Sequence, residues 1–348
     1  MFEKTKIVDG FGRPTNGPEI IDLFMMVGLQ GSGKSTYAKM TPSWYFSADD
    51  YRARFPEEDN NQIFQRFYQD LDNLIMDIYF GRKENMPVIL DNTNITIKDR
   101  AETFNHIKKW KKIYPNLTYV VTAVIMATPF DVCLQRVKDR AEKTGKIIPE
   151  EVVYSYRKKF CIPFSEEGFT RIIIINGITF NPVMQIKHNA RDYAALMFKM
   201  INFNQENPHH KYTLGFHMVA CQQLVSERIQ NFYGQRWMPV AAIVHDWGKY
   251  YTKSYNDNGI AIYYSHAEVG TYELLTHLEL IPQQDFEVHE VLRVLAYVNY
   301  HMRPFDWNTE KAIKKALNTF GDVLMHDLIE FNKIDKEACG TESEQINK

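Results

Sequence analysis

Cysteine is scarce in this chain. There are four in 348 residues, Cys133, Cys161, Cys221 and Cys339, and none forms a CxxC pair. Such wide spacing suggests neither a zinc knuckle nor a disulfide framework, and a reducing compartment is expected. Long apolar runs are also missing. None reaches the roughly 18 residues that a membrane span needs. The opening stretch, MFEKTKIVDGFG, has no apolar core of the kind a signal peptide carries. No membrane partner is expected, and the expected location is cytoplasmic. An excess of one charge is lacking too: the net charge is −2 at pH 7. This excludes a domain-wide basic surface, so any contact with nucleic acid must be local. The short basic run KKWKK at 108–112 reads as a solvated helix face. Neither repeats nor low-complexity tracts occur.

What is present fits a folded protein, with 45% apolar and 24% charged residues. The length suggests about two domains. In the first half, apolar runs alternate with segments of helical spacing. Strands are expected over 20–28, 43–50, the VILD run, 117–128 and 171–177, and helices from Gly33, over 61–80, and from Thr96 to about Tyr114. Thr96 with Asp99 reads as an N-cap pair, and Thr128-Pro129 as cap plus first residue of the next helix. A further short helix is expected after Pro149. This alternation predicts a parallel sheet covered on both faces. Beyond about residue 185 the strands are expected to stop. Helices are then predicted over 189–204, 212–232, 238–251, 265–280, 286–301 and 322–338. The boundary falls within 176–189, giving an α/β domain over 1–180 and an all-α domain over 181–348.

The stretch GLQGSGKST matches G-x-x-x-x-G-K-[ST] at Gly28, Gly33, Lys34 and Ser35. It follows a strand and opens a helix, the context a phosphate-binding loop requires. The backbone N–H groups of Gly31, Ser32 and Gly33 would cradle phosphates, with Thr36 beside them. Lys34 would reach the β- and γ-phosphates, and Ser35 would take Mg²⁺. ATP or another NTP with Mg²⁺ is the expected cofactor. Downstream, SADDYR brings Asp49, Asp50 and Arg52 to the ligand edge. A carboxylate there can take the proton of an attacking hydroxyl, and the Arg can hold an acceptor phosphate. VILDNTN places Asp91, Asn92 and Asn94 at a strand end, for acceptor or metal. Arg136 and Arg140 lie at i, i+4 on one helix face, suiting a lid over a triphosphate.

These clusters, GLQGSGKST, ADDYR, DNTN and RVKDR, resemble in order and spacing the kinase domain of bacteriophage polynucleotide 5′-kinases, over roughly 20–175. The resemblance implies Asp49 as general base and Arg52 on the acceptor phosphate. It also implies acceptor contacts for Asp91, and lid roles for Arg136 and Arg140. That family's phosphatase partner carries a D-x-D-x-T motif, which this chain lacks.

The second half carries His217, the adjacent pair His245-Asp246 in AAIVHDWGK, His266, His301 and Asp335. Burying an imidazole beside a carboxylate costs several kcal/mol unless something compensates. A divalent cation would compensate, and mixed N/O ligation suits Mn²⁺, Fe²⁺, Co²⁺, Ni²⁺ or Zn²⁺ better than Mg²⁺. Such a cation lowers the pKa of a water for phosphate-ester hydrolysis. Over about 202–340 the chain resembles the HD phosphohydrolase superfamily. This implies His217, His245, Asp246 and Asp335 as metal ligands, with Lys249, His266 and His301 lining the phosphate site. Ser265 with Glu268 reads as an N-cap pair ahead of His266, which could instead bind a second metal. His209, His210 and Tyr212 are weaker phosphate-site candidates.

A kinase of this type fused to an HD domain resembles bacterial enzymes that heal nucleic-acid ends, although there the HD module comes first. The implied function is 5′-OH phosphorylation with 3′-phosphate or 2′,3′-cyclic phosphate removal on RNA or DNA. A ligase would act downstream, and the location would be the host cytoplasm if the chain is phage-encoded. Two rivals remain: a small-molecule or nucleoside kinase joined to a nucleotidase, and a nucleotide-gated nucleic-acid-binding protein without catalysis.

Overall fold

The computed structural model describes residues 19–208, 210–282 and 286–340. The opening stretch read for a signal peptide lies outside these residues, and so does His209.

Five strands form one parallel sheet. They are β1 (Glu19–Val27), β2 (Trp44–Ser47), β3 (Val88–Asp91), β4 (Leu117–Ala127) and β5 (Arg171–Asn176), in the order β2-β3-β1-β4-β5. All four residues of β3 and the last seven of β4 are buried. Strands covered on both faces need such unbroken apolar runs. The covering helices are α1 (Lys34–Ala38), α2 (Ala48–Arg54), α3 (Asn60–Tyr79), α4 (Ile97–Ile113), α5 (Phe130–Thr144) and α6 (Glu150–Arg157). Helix α3 buries Ile63, Phe67, Leu71, Leu74, Ile75 and Ile78 along one stripe. Thr96 and Asp99 form the reciprocal cap on α4 that their spacing predicts. With β1 central, the direction of winding reverses between β1 and β4, and the crevice at this reversal is where such sheets bind ligands.

Two local expectations in this half are corrected. β2 ends at Ser47, and Ala48 already belongs to α2, so Asp49 and Arg52 stand on a helix and not at a strand end. The amide of Ala48 donates to Asn92 Oδ1 at 3.0 Å, which anchors the helix start to the loop after β3. Pro129, not Thr128, is the cap residue of α5. The Thr128 hydroxyl is turned away and donates to the Ser32 carbonyl at 2.7 Å.

After β5 the chain is mainly helical: α7 (Ala190–Ile201), α8 (Leu214–Glu227), α9 (Met238–Val244), α10 (Lys249–Thr252), α11 (His266–Thr276), α12 (Val288–Tyr300) and α13 (Glu310–Ala338). Strands do not stop altogether, because Ser254–Tyr255 and Ala261–Ile262 pair as a small antiparallel hairpin, β6–β7. The helix expected over 238–251 is broken at His245–Gly248. The helix expected over 322–338 is present, and it is preceded by an unexpected helix over 310–320; the two meet at Gly321, whose φ is 70°. Ser265 does not cap α11. It sits at φ 60° with no capping hydrogen bond, whereas a capping side chain reaches the first amides from extended backbone.

The two regions share one apolar core that runs from Leu23 of β1 to Leu295 of α12. Polar contacts cross the same seam. Asn299 accepts from the Ile162 amide at 2.9 Å and donates to the Phe160 carbonyl at 3.0 Å. Tyr300 donates to the Ile162 carbonyl at 2.6 Å, and Arg157 pairs with Glu273 at 2.9 Å.

Candidate functional site

The first site is a cleft of about 1650 Å³ at the carboxyl edge of the sheet. It is larger than the pocket one small ligand usually needs. Gly31, Gly33, Lys34, Ser35 and Thr36 line it. Gly31 has φ 79°, and a Cβ there would stand 2.3 Å from the Cys133 carbonyl oxygen, so no other residue fits the turn. Gly28 lies at the base of the loop, its amide donating to the Thr93 carbonyl at 3.0 Å. The Ser32 hydroxyl is buried and has no hydrogen-bond partner among the described residues. Lys34 donates to the carbonyls of Gly28 and Leu29 at 2.9 and 2.8 Å. Burial pushes its ammonium down from the usual value, and Asp91 is first among the groups that pull it back.

Asp91 is buried at the end of β3 and accepts from the Tyr45 hydroxyl. Its position beside Lys34 and Ser35 suits holding Mg²⁺ as well as an acceptor. Asn94 lines the cleft, but its amide donates to the Met26 carbonyl at 2.8 Å, so much of its hydrogen bonding ties the loop to β1. Asp49 and Arg52 face the cleft and pair at 2.8 Å. Lys146 reaches Asp49 at 2.9 Å. Burial pushes the Asp49 carboxyl up, but the Lys146 and Arg52 contacts outweigh it and hold the carboxyl below its ordinary value. Arg136 and Arg140 both line the cleft. Arg136 donates to the Gly177 carbonyl at 2.9 Å, and Arg140 leaves its buried Nε without a hydrogen-bond partner among the described residues.

Sequence reasoning missed Lys146 and Phe180. The Phe180 ring lies so close to Gly33 that a Cβ there would meet it at 2.8 Å. Phe180 follows the last strand, and nothing in its local pattern separates it from a linker residue.

The second site is built by α8, the α9–α10 corner, α11, α12 and α13. His217, His245, His301 and Asp246 are almost fully buried, and His266 nearly so. His245 Nδ1 faces the Ala242 carbonyl at 2.8 Å, His266 Nδ1 faces that of Tyr263 at 2.8 Å, and His301 Nδ1 faces that of Val298 at 2.7 Å. His217 Nδ1 lies 3.4 Å from the Ala338 carbonyl. A ring nitrogen against a carbonyl must donate, so each ring turns Nε2 toward the centre, the arrangement of metal-ligating histidines.

One carboxylate divides the centre. Asp246 Oδ2 lies 3.2 Å from His217 Nε2 and 3.3 Å from His245 Nε2. Its Oδ1 lies 3.2 Å from His266 Nε2 and 3.7 Å from His301 Nε2. Asp335 Oδ1 closes the first group, at 3.0 Å from His217 and 3.3 Å from His245. His245 Nε2 is within ion-pair range of both carboxylates, yet it has no properly oriented hydrogen bond among the described residues. A buried donor set converging without hydrogen-bond geometry fits a divalent cation. The facing Nε2 atoms of His266 and His301, 3.2 Å apart, mark room for a second.

Electrostatics agree. Burial disfavours charge on His217 and His245, but Asp246 is chief among the groups that outweigh it and raise both to about 10. Burial, then the neighbouring His245 and His266, lowers His301 to about 3. Lys249 Nζ contacts Asp246 Oδ2 at 2.7 Å. His210 approaches Lys249 at 3.4 Å. Burial, then Lys249, lowers it to about 4, so it stays neutral. Tyr212 is exposed; its carbonyl accepts from Gln205, which also accepts from Lys249. Gly248 explains itself here: a Cβ would stand 1.8 Å from the His266 carbonyl oxygen, so the corner can approach α11 only without a side chain.

Residues 23–163 match the model of an AAA domain family. With the geometry above, they form an N-terminal P-loop domain of kinase-like type, followed by a mainly helical region. No curated protein is significantly similar in sequence. Among solved structures, a chain of the Pnkp1/Rnl/Hen1 RNA repair complex is 18% identical with a TM-score of 0.34. That match covers 51% of this chain and 55% of the other, about half its length. A fungal RNA kinase is 17% identical with a TM-score of 0.35, over 46% of this chain and 76% of that one. Likeness at this level carries nothing about substrate. Among the described residues, no helix is long and apolar enough to cross a membrane.

Proposed function

We propose that the chain heals broken nucleic-acid ends: one centre phosphorylates a 5′-OH, and the other removes a 3′-phosphate after opening any 2′,3′-cyclic phosphate. The observation that carries this reading is the pairing, within one chain, of a P-loop cleft bearing Asp49 and Arg52 with a buried His/Asp centre divided by Asp246.

In the cleft, Lys34 and the loop amides would hold the triphosphate, while Ser35 and Asp91 would hold Mg²⁺. Arg52 holds the phosphate next to the acceptor hydroxyl, and Asp49 takes the hydroxyl proton as the γ-phosphoryl group leaves its donor. Arg136 and Arg140 neutralise charge developing on the transferring group.

In the helical region, His217, His245, Asp246 and Asp335 would hold one cation, and His266 and His301 with Asp246 a second. Such a cation supplies Lewis acidity and lowers the pKa of a water. Lys249 holds a phosphoryl oxygen, and neutral His210 can donate to the same group. Partly exposed His210 and Cys339 mark the side from which a strand end enters.

One end-labelled oligonucleotide assay tests the reading. RNA and DNA strands with 5′-OH or 3′-phosphate ends are incubated with NTP and Mg²⁺, Mn²⁺, Ni²⁺, Co²⁺ or Zn²⁺. Both end conversions are expected. Preference for a nucleoside 3′-monophosphate over the oligonucleotide as acceptor would favour a small-molecule kinase instead. Saturable strand binding without phosphate release would leave only a binding protein.

A further inference from the structure

Two of the four cysteines, Cys221 and Cys339, lie beside the His/Asp centre. His217 and Cys221 stand four residues apart on α8, one helical turn along the same face. Cys221 is fully buried, and its Sγ lies 3.9 Å from His217 Nε2 and 3.8 Å from Asp335 Oδ1. His217, Cys221, His245 and Asp335 each offer one donor atom within 4.8 Å of the others. Bond lengths of about 2.0–2.1 Å to N or O and 2.3 Å to S put donors around a tetrahedral zinc roughly 3.3–3.6 Å apart. The His217–Asp335 and His245–Asp335 separations, 3.0 and 3.3 Å, and those from the sulfur fall within a few tenths of an ångström of that range. The fully buried Nε2 of His245, which has no hydrogen-bond partner among the described residues, faces the same centre.

We propose that Cys221 is a sulfur ligand of the cation held by His217, His245 and Asp335. This rests on the metal-centre reading above and goes beyond it. Asp246 Oδ2 then serves as the further oxygen of a mixed N/O/S site. Coordination forms a metal–sulfur bond and releases the thiol proton to solvent, with no change of oxidation state. A thiolate donor selects Zn²⁺, Co²⁺ or Fe²⁺ over Mg²⁺ and Mn²⁺.

The test uses the full-length protein, stripped of metal and kept reduced, then titrated with Co²⁺ or Zn²⁺. The Co²⁺ form is expected to show visible ligand-field bands together with a near-ultraviolet sulfur-to-cobalt charge-transfer band. In Cys221→Ser the charge-transfer band is lost and the visible bands remain. Zinc affinity falls by at least the roughly 10- to 100-fold that losing even an outer partner costs. In Cys339→Ser the charge-transfer band is retained. X-ray absorption of the zinc-loaded wild type needs no variant, and a sulfur scatterer at about 2.3 Å is expected. Visible bands without any sulfur signal would overturn the sulfur ligand while leaving the metal centre standing. Loss of the band in Cys339→Ser but not in Cys221→Ser would overturn the assignment to Cys221. Absence of cobalt and zinc binding by equilibrium dialysis would remove the metal centre, and this proposal with it.

Discussion

The hydroxyl of Tyr272 donates a hydrogen bond of 2.7 Å to the carbonyl of Thr128. Thr128 in turn donates its own hydroxyl to the Ser32 carbonyl in the phosphate loop, also at 2.7 Å. Tyr272 lies on α11, the helix that begins with His266. One residue therefore joins the two sites through buried hydrogen bonds.

Tyr272→Phe leaves the Thr128 carbonyl without this donor in a buried seam. A loss of about 1–3 kcal/mol is expected. Urea denaturation followed by fluorescence and by circular dichroism measures it. The two probes should report one shared transition, because the apolar core is continuous.

The two activities should separate cleanly. Asp49→Asn removes the base and should lower 5′ phosphorylation by about 10²–10⁴-fold, leaving 3′-phosphate removal intact. Asp246→Asn should do the reverse. Rate measurements on both ends of the same labelled strand check this, and one substitution abolishing both would refute two independent centres.

Asp49 should respond to Lys146. A carboxyl with a lowered pKa stays ionised until pH falls through that value, below the ordinary Asp pKa of about 3.9. Removing Lys146 takes away a stabilising charge, so in Lys146→Ala the Asp49 titration should move to higher pH. Carbon NMR of the labelled carboxyl reads this directly; an unmoved titration would show that Lys146 does not set it.

Arg100 is fully buried and pairs with Glu167 at 2.7 Å, while also donating to the carbonyls of Asn94 and Cys161 at 3.0 and 2.9 Å. Arg100→Leu strands a buried carboxylate. A loss of about 3–5 kcal/mol is expected, read from the denaturation midpoint. Glu167→Gln in the same background should recover part of it.

Gly248→Ala sets a methyl group against the His266 backbone. Overpacking of this sort costs about 1–3 kcal/mol. Calorimetric metal titration should also show weaker binding, because the corner carrying Asp246 and Lys249 must retreat from α11.

Much of this was readable from local pattern. The phosphate loop, the Thr96–Asp99 cap and the strand–helix alternation each depend on residues adjacent in sequence, and the fold repeats them. The His and Asp residues singled out in the second half do meet at one centre. What escaped depends on contacts from far along the chain. Thr128 resembles a cap, but a loop almost a hundred residues earlier claims its hydroxyl. Ser265 has a capping residue's chemistry, but the turn before α11 takes it into the left-handed region. The helix over 310–320, ahead of the break at Gly321, was hidden because its turns are largely exposed and carry little apolar stripe. Cys221 showed no metal signature because, His217 apart, the residues grouped with it, His245 and Asp335, lie on elements far along the chain.

The shared core has a bearing on how a strand would be processed. Asn299 and Tyr300 tie α12 to the segment after α6, so the seam is packed and hydrogen-bonded. A seam of this kind resists a swing of one half relative to the other. On the reading proposed here, a nicked end treated in the cleft has to let go and return in the opposite polarity, or be long and pliant enough to fold back on itself.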